Sequence, residues 1–411
     1  MLRKLICAAL TAALLTGAGL AMDRDALRVA WREQAEPRSD ASPYAEQPNL
    51  ENFTLGSLTE AAQADALALT NFIRSLAGLK PVSIDPLYSL RAQAGALVLA
   101  ANDILTHTPE RPEGLEDDLF EVGYAGTSMG NIAKFNWMRP TILIDGVTYF
   151  VRDDGDINLG GLGHRRWLLN PYMKATGFGL ANAASGNSYV AMYAVDMDNA
   201  DVEWDYVAWP AGEAFPVELT RAELPWSISL NPDVYDVTNS EPALTLTEEV
   251  SGAAFRFDFS DGSGDGFCLL STENYGAGPC LIFRPELAAA GIDEYVQNQI
   301  WTVELTGLRG ADGAARELRY TCEMASVYPQ DVANVELDVL EASLVPGETL
   351  QLNATVIPAY ADDLTVSWRS SDEAVAQVDD AGHVTAVAPG ECEITAESVN
   401  GRSDVCKIIV G

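Results

Sequence analysis

Histidine is scarce in this chain. Three occur among 411 residues, at positions 107, 164 and 383, so imidazole chemistry is confined to His107, His164 and His383. Basic residues are few as well: 25 Lys and Arg stand against 60 Asp and Glu, a formal net charge of −35. That balance repels phosphate backbones and anionic bilayers, and it argues against nucleic acid as a partner. None of the six cysteines has the C-x-x-C spacing of thiolate zinc sites. Beyond the first twenty residues no apolar run is long enough to span a bilayer.

What is present begins with a targeting segment. Arg3 and Lys4 precede an apolar run from Leu5 to Leu20, and Gly19-Leu20-Ala21 offers small residues where a signal peptidase cuts. Cleavage after Ala21 (leader 1–21) and export are expected, with an uncleaved membrane anchor as the alternative. Loss of Cys7 with the leader leaves Cys268, Cys280, Cys322, Cys392 and Cys406, and export permits disulfides. Cys392 with Cys406, and Cys268 with Cys280, are candidate pairs across hairpins. An odd count leaves at least one thiol over.

Residues 22–57 read as a polar spacer with one amphipathic stretch, Asp25 to Gln34. Thr59 then caps a helix whose buried stripe is Leu67, Phe72, Ile73 and Leu76, and Gly78 and Pro81 stop it. Asp85-Pro86 starts a second helix, with Asp as cap and Pro in the first turn. His107 lies in the loop just beyond that helix. Gly123 to Thr127 reads as a glycine-rich turn. Ile142 to Arg152 is helix or strand, with Gly146 and the β-branched residues weighing against helix. Two strands follow, Thr176–Leu180 and Tyr189–Asp196, so residues 58–200 form a layered α/β unit.

From Trp204 the pattern becomes short alternating runs punctuated by Gly, Asp, Asn and Pro, which predicts a β-sandwich over 201–330. Its aromatic stretches around Trp209 and Trp226 either grip sugar rings or pack a core. Six more strands within residues 331–411 fit a small Ig-like sandwich.

The densest stretch is Gly163-His164-Arg165-Arg166-Trp167. Arg165 and Arg166 either clamp an anionic ligand by bidentate hydrogen bonds or pair with nearby acids. Trp167, Leu168 and Leu169 read as core. Ser128 and Thr106 are nucleophile candidates by position alone.

Asn71-Phe72-Ile73-Arg74 with Ala77-Gly78-Leu79-Lys80-Pro81, then Leu105-Thr106-His107, Asn131-Ile132-Ala133, Gly163-His164-Arg165-Arg166 and Gly177-Phe178-Gly179 follow one another as in the bacterial branch of the CAP superfamily. This stretch of about 140 residues resembles that family, which implies an α-β-α sandwich with a central cleft. The family's cleft commonly carries two His and two Glu, which in some members bind a divalent metal. His107 and His164 match the histidine positions. Met129-Gly130-Asn131 stands where many members have Gly-Glu-Asn, so one glutamate is absent, and Asp153, Asp154 or Asp156 are the acids left to replace it. Two imidazoles with one carboxylate and a water suit zinc; two imidazoles alone hold a divalent ion weakly.

Val345-Pro346-Gly347-Glu348 with Val366-Ser367-Trp368 and Gly382-His383-Val384-Thr385-Ala386 resembles the bacterial Ig-like domain, group 2. The resemblance implies a spacer or adhesion module with Trp368 in its core and His383 exposed. The expected architecture is therefore an α-β-α sandwich followed by two β-sandwiches. The expected role is binding of an extracellular lipid, glycan or peptide, or of a cell-surface or host component, in a cleft built from His107, His164, Asn131, Asp154 and Arg165. A metal-assisted extracellular hydrolase using His107 and His164, and an adhesin with a vestigial cleft, are the alternatives.

Overall fold

The computed structural model describes residues 22–38, 40–155, 158–199 and 201–411; the expected leader with Cys7, and Asp156, lie outside the described residues. The chain divides into two compact units. One comprises the residues up to 295 together with 299–327, the other 296–298 with 328–411.

The first unit opens with α1 (Arg24–Ala30), capped by the Asp23 carboxylate and continued by a π turn over Trp31–Ala35. Leu27 is fully buried, and the Trp31 ring meets Phe72 edge-on at 5.5 Å. The segment expected to be a spacer is thus packed into the fold, because its amphipathic stretch covers apolar surface that would otherwise face water. β1 (Tyr44–Glu46) and β2 (Ser57–Leu58) pair antiparallel.

α2 (Glu60–Leu76) starts at the Thr59 cap and buries Leu69, Phe72, Ile73 and Leu76. After β3 (Ser83–Ile84), the Asp85 side chain caps α3 (Pro86–Asn102) by accepting from the amides of Leu87 and Tyr88. α4 (Asp117–Ser128), β4 (Gly130–Phe135), α5 (Ile142–Arg152), α6 (Gly163–Leu168), β5 (Ala175–Asn182) and β6 (Ser188–Tyr193) complete the α/β part. The sheet order is β3-β5-β6-β4. α3 and α4 cover one face and α2 and α5 the other, with alternate residues of β6 feeding the two sides: Tyr189 and Ala191 one, Val190 and Met192 the other. This is the α-β-α sandwich expected.

Two glycine-dependent departures matter. The expected glycine-rich turn is the C-terminal half of α4. A Cβ on Gly126 would lie 1.9 Å from the Arg91 carbonyl, so its missing side chain lets α4 press onto α3. The ambiguous 142–152 segment is helix for a similar reason: Gly146 sits over Val190, where a Cβ would come to 2.7 Å. Tertiary packing outweighs the weak helix propensity of glycine in both places.

Past residue 200 the first unit is a β-sandwich. One sheet, in the order β12-β11-β10-β15-β16-β8, is built from β8 (Ala214–Pro216), β10 (Ala243–Glu248), β11 (Ala254–Asp258), β12 (Ser263–Gly264), β15 (Ile300–Arg309) and β16 (Ala315–Ala325). The other, β13-β14-β9-β7, contains β7 (Tyr206–Trp209), β9 (Trp226–Leu230), β13 (Gly266–Ser271) and β14 (Cys280–Pro285). Trp209, Trp226 and Trp301 are fully buried, which assigns the first two to packing rather than to a sugar platform. One hydrophobic cluster runs from Leu27 to Val327, so the α-β-α layers and this sandwich share a core.

The second unit holds β17 (Asn334–Leu337) to β25 (Ser403–Val410) in sheets of two, four and three strands. Leu352, Val384, Ile394 and Ile408 centre its separate core, and Trp368 packs against it half-buried. His383 is exposed beside Asp379.

All five described cysteines are buried free thiols. Cys392 pairs with Ile408 and Cys406 with Ile394, so the two thiols are diagonal neighbours rather than directly opposed. Diagonal neighbours sit about 7–8 Å apart, beyond the usual reach of a disulfide. Cys268 opposes Phe283 and Cys280 opposes Ser271, three rungs away.

Candidate functional site

The loop after α3 brings His107 against the end of α4. Its Nδ1 lies 2.7 Å from the Thr127 carbonyl, and the Thr127 hydroxyl lies 3.3 Å from the His107 carbonyl. A carbonyl can only accept, so Nδ1 of His107 carries the proton and Nε2 is left with its lone pair in the neutral ring.

His164 enters from α6, whose start is shaped by two left-handed residues. Leu162, the residue before the helix, has φ 49°, and Asp153, the residue after α5, has φ 53°. An aspartate tolerates that conformation better than most residues. The turn delivers the Asp153 carboxylate, wholly buried, to the His164 ring: Nδ1–H donates to Oδ1 at 2.7 Å, and the Arg165 amide donates to Oδ2 at 3.2 Å. Phe150 and Tyr149 flank the ring at 5.5 and 5.9 Å. Asn131, on β4 and 1% exposed, donates from Nδ2 to the His164 carbonyl at 2.8 Å.

The two imidazoles meet. Their centroids are 6.4 Å apart, their planes are tilted by 33°, and both line one cavity of about 520 Å³. Asn131, Asn158, Ser128 and Trp167 line it too, with the Gly160–Gly163 backbone. The expectation that Trp167 is core is therefore corrected; Leu168 and Leu169 are buried as expected. The remaining wall comes from the β-sandwich: Glu273 and Tyr275, in the turn between β13 and β14, face the same hollow.

Arg165 does not line the cavity. Its guanidinium is buried and donates to the carbonyls of Val151, Arg152 and Pro225 at 2.7–2.8 Å, and desolvation pulls it down to about 10. It pins α6 to α5 and β9, which corrects the expectation of a ligand clamp. Arg166 likewise donates to the carbonyls of Gly161, Glu273 and Gly278 and sits 5.6 Å from the Tyr275 ring centroid. Among the described residues neither arginine makes the carboxylate pair that was the alternative, because their helix turns both inward among backbone oxygens. Asp154 is also displaced from the histidines: it pairs with Arg221 at 2.9 Å and borders a separate cavity of about 550 Å³. Of the two candidate acids among the described residues, Asp153 and Asp154, Asp153 is the one joined to His164.

Ser128 borders the cavity, but its hydroxyl donates to the Tyr124 carbonyl at 2.7 Å. Thr106 Oγ1 accepts from the Thr108 amide instead. The donor set does not fit zinc: among the described residues no three His, Cys, Asp or Glu gather as ligands, and two imidazoles fall short of the three or four a tetrahedral site uses. Glu273 and Tyr275 escaped the sequence reading. Their signal was Thr272-Glu273-Asn274-Tyr275-Gly276, an aromatic residue in a polar turn with no apolar partner.

An α-β-α sandwich that brings two histidines, one from a loop and one from a short helix, onto one cleft is the architecture of a CAP domain. Residues 67–194 match the cysteine-rich secretory protein family, CAP, and residues 331–409 match the bacterial Ig-like domain, group 2. The chain is similar to a 3-O-alpha-D-galactosyl-alpha-L-arabinofuranosidase of Bifidobacterium longum subsp. longum, with 56% identity over 63 residues. It is also similar to a lacto-N-biosidase of Bifidobacterium bifidum, with 51% identity over 61 residues. Each match covers 15% of this chain, and only 6% and 5% of those relatives. An intimin mutant of EHEC O157:H7 is similar over 18% of this chain and 45% of its own, at 22% identity and a TM-score of 0.16, too low to carry any structural inference. No described helix is long and apolar enough to cross a membrane.

Proposed function

We propose that this chain is an extracellular CAP-domain protein that captures a small ligand, or one side chain of a larger one, in the His107–His164 cleft. The two matched domains support a bacterial protein of the cell exterior, and the Ig-like segment serves as a spacer or adhesion module. The observation that carries the reading is the pair of fixed imidazoles on one cavity: each ring spends Nδ1–H on the protein, and neither Nε2 has a partner among the described residues. A cavity of about 520 Å³ with a few convergent polar groups is a usual binding site. Titrating the whole protein with a panel of lipids, glycans and peptides should find a ligand whose affinity drops in both His107→Ala and His164→Ala. Unchanged binding in the double variant would leave the cleft vestigial.

One observation favours a second reading, extracellular hydrolysis. Asp153 orients His164 as a carboxylate orients a general base, so Nε2 can take a proton from a water attacking a bound substrate. On this reading Asp153 is a positioning residue and His164 the base. Turnover of an ester or peptide library that survives His164→Ala would rule it out.

A further inference from the structure

Several polar side chains around the cleft spend a hydrogen on the protein and keep lone pairs unused. His107 and His164 donate through Nδ1 and keep Nε2 as an acceptor. The single Ser128 hydroxyl proton goes to the Tyr124 carbonyl. Asn131 and Asn158 donate from Nδ2 to the carbonyls of His164 and Asp154, and the Asn158 side chain also hydrogen-bonds to Tyr149. Glu273 is exposed, and its carboxylate takes no hydrogen bond from a described group. Among the described residues no lysine or arginine lines the space. The guanidinium groups of Arg165 and Arg166 lie outside it and donate mainly to backbone oxygens, although Arg166 Nε has no partner among the described residues and the Arg166 charge interacts with Glu273. The donors that remain are the Trp167 indole N–H, the Tyr275 hydroxyl and the second amide hydrogens of the two asparagines.

We infer that the cleft takes an organic ammonium ion, and that Glu273, delivered by the β-sandwich, is the residue that selects it. This rests on the reading of the cleft as a binding site and names the chemistry of its ligand. An ammonium group brings three donors and no acceptor, the complement of this lining. A carboxylate or phosphate would bring only acceptors and would meet Glu273 as a like charge. A neutral sugar can donate from each hydroxyl, but its hydroxyl lone pairs outnumber its protons and meet few donors here, and it offers no charge to Glu273. Tyr275 already carries Arg166 against its ring, and Trp167 is the other aromatic side chain that lines the cavity and can meet a cation. The net charge of −35 raises the local concentration of cations around the mouth.

Arg166 is what holds this selecting loop in place. Its Nη2 donates to the carbonyls of Glu273 and Gly278 at 2.8 and 2.7 Å, and the Tyr275 ring lies against Gly161, where a Cβ would come within 2.9 Å.

Calorimetric titration of the whole protein tests the inference. The probes are N-acetyl-lysine methylamide, for an amine carried on a peptide, and spermidine, for a free amine. The controls are the Nε-acetylated lysine derivative, methyl glucoside and acetate. At least one amine probe should bind, its acetylated or neutral counterpart should bind about tenfold more weakly, and Glu273→Gln should weaken the amine by a similar factor. Glu273→Asp should recover part of the affinity, and rising salt should lower it. The Glu273 side chain is exposed and has no hydrogen-bond partner among the described residues, and a circular dichroism spectrum unchanged in Glu273→Gln confirms that the fold is intact. Equal binding of methyl glucoside or acetate, no binding of either amine, or an unaltered affinity in Glu273→Gln overturns the inference. If a non-cationic ligand binds and is lost in His107→Ala, the cleft reading survives alone; if no ligand depends on either histidine, both fail.

Discussion

The Asp153 carboxylate holds two partners at once, the His164 ring and the Arg165 amide, from a left-handed backbone position with no exposed surface. Replacing it by the isosteric amide turns one acceptor oxygen into a donor. Asp153→Asn should therefore cost about 1–3 kcal/mol in chemical denaturation, the scale of one buried group left unpaired. It should also abolish the low-field Nδ1–H proton resonance of His164; persistence of that signal would show that the carboxylate does not orient the ring. Arg165 makes the opposite kind of test. If it clamped a ligand, Arg165→Met would leave stability alone and reduce binding. Buried against three carbonyls, it should instead cost about 3 kcal/mol or more, since each orphaned oxygen costs about 1–3 kcal/mol. A denaturation midpoint equal to that of the native sequence would restore the clamp. These residues also show what the sequence could and could not say. The scarcity of histidine and the family spacing located His107 and His164. Neither feature distinguishes an arginine that faces a ligand from one that faces its own backbone, because that depends on which side of a six-residue helix looks inward.

Among the elements, the contact of α3 with α4 governs where His107 sits, since its Nδ1 is tied to Thr127 in the last turn of α4. Gly126→Ala should push the helices apart and cost about 1–3 kcal/mol, the usual range for overpacking. Its effect on ligand binding should match that of His107→Ala; a stable variant with native affinity would show that the close approach does not position the ring. The end of α3 carries a pH-dependent anchor. Hydrogen bonds from Asn187, Ser185 and Tyr189 hold the Asp103 carboxyl below the ordinary carboxylate range, with help from Lys134. A group with a depressed folded-state pKa contributes stability above its unfolded pKa and loses it as pH falls through the folded one. Thermal midpoints should drop on acidification below the normal aspartate range, and Asp103→Asn should flatten that part of the profile. Caps and periodic stripes made most helices legible. α4 and α5 were not, because their glycines serve packing against a neighbour that sequence alone does not reveal.

For the molecule as a whole, burial disfavours thiolate chemistry at Cys280 and Cys322: it pushes the Cys280 thiol up and the Cys322 thiol well up, toward the protonated form. The protein lacking its leader should show five titratable thiols once denatured and essentially none when folded, and a reductant should leave its thermal midpoint unchanged. A midpoint lowered by reductant would point to a disulfide after all. At this scale the order of domain types was legible, since strand runs and turn residues recur at fixed spacing. The sharing of one core between the α-β-α layers and the first sandwich was not, because long-range contacts between segments leave no periodic trace.

The Arg166 brace has an evolutionary corollary. Specificity here is written in a turn borrowed from a different architectural layer, so cutting the chain after β6 would yield a trough open on one side rather than a pit. Exchanging that single hairpin would then alter what the cleft accepts without disturbing the two imidazoles.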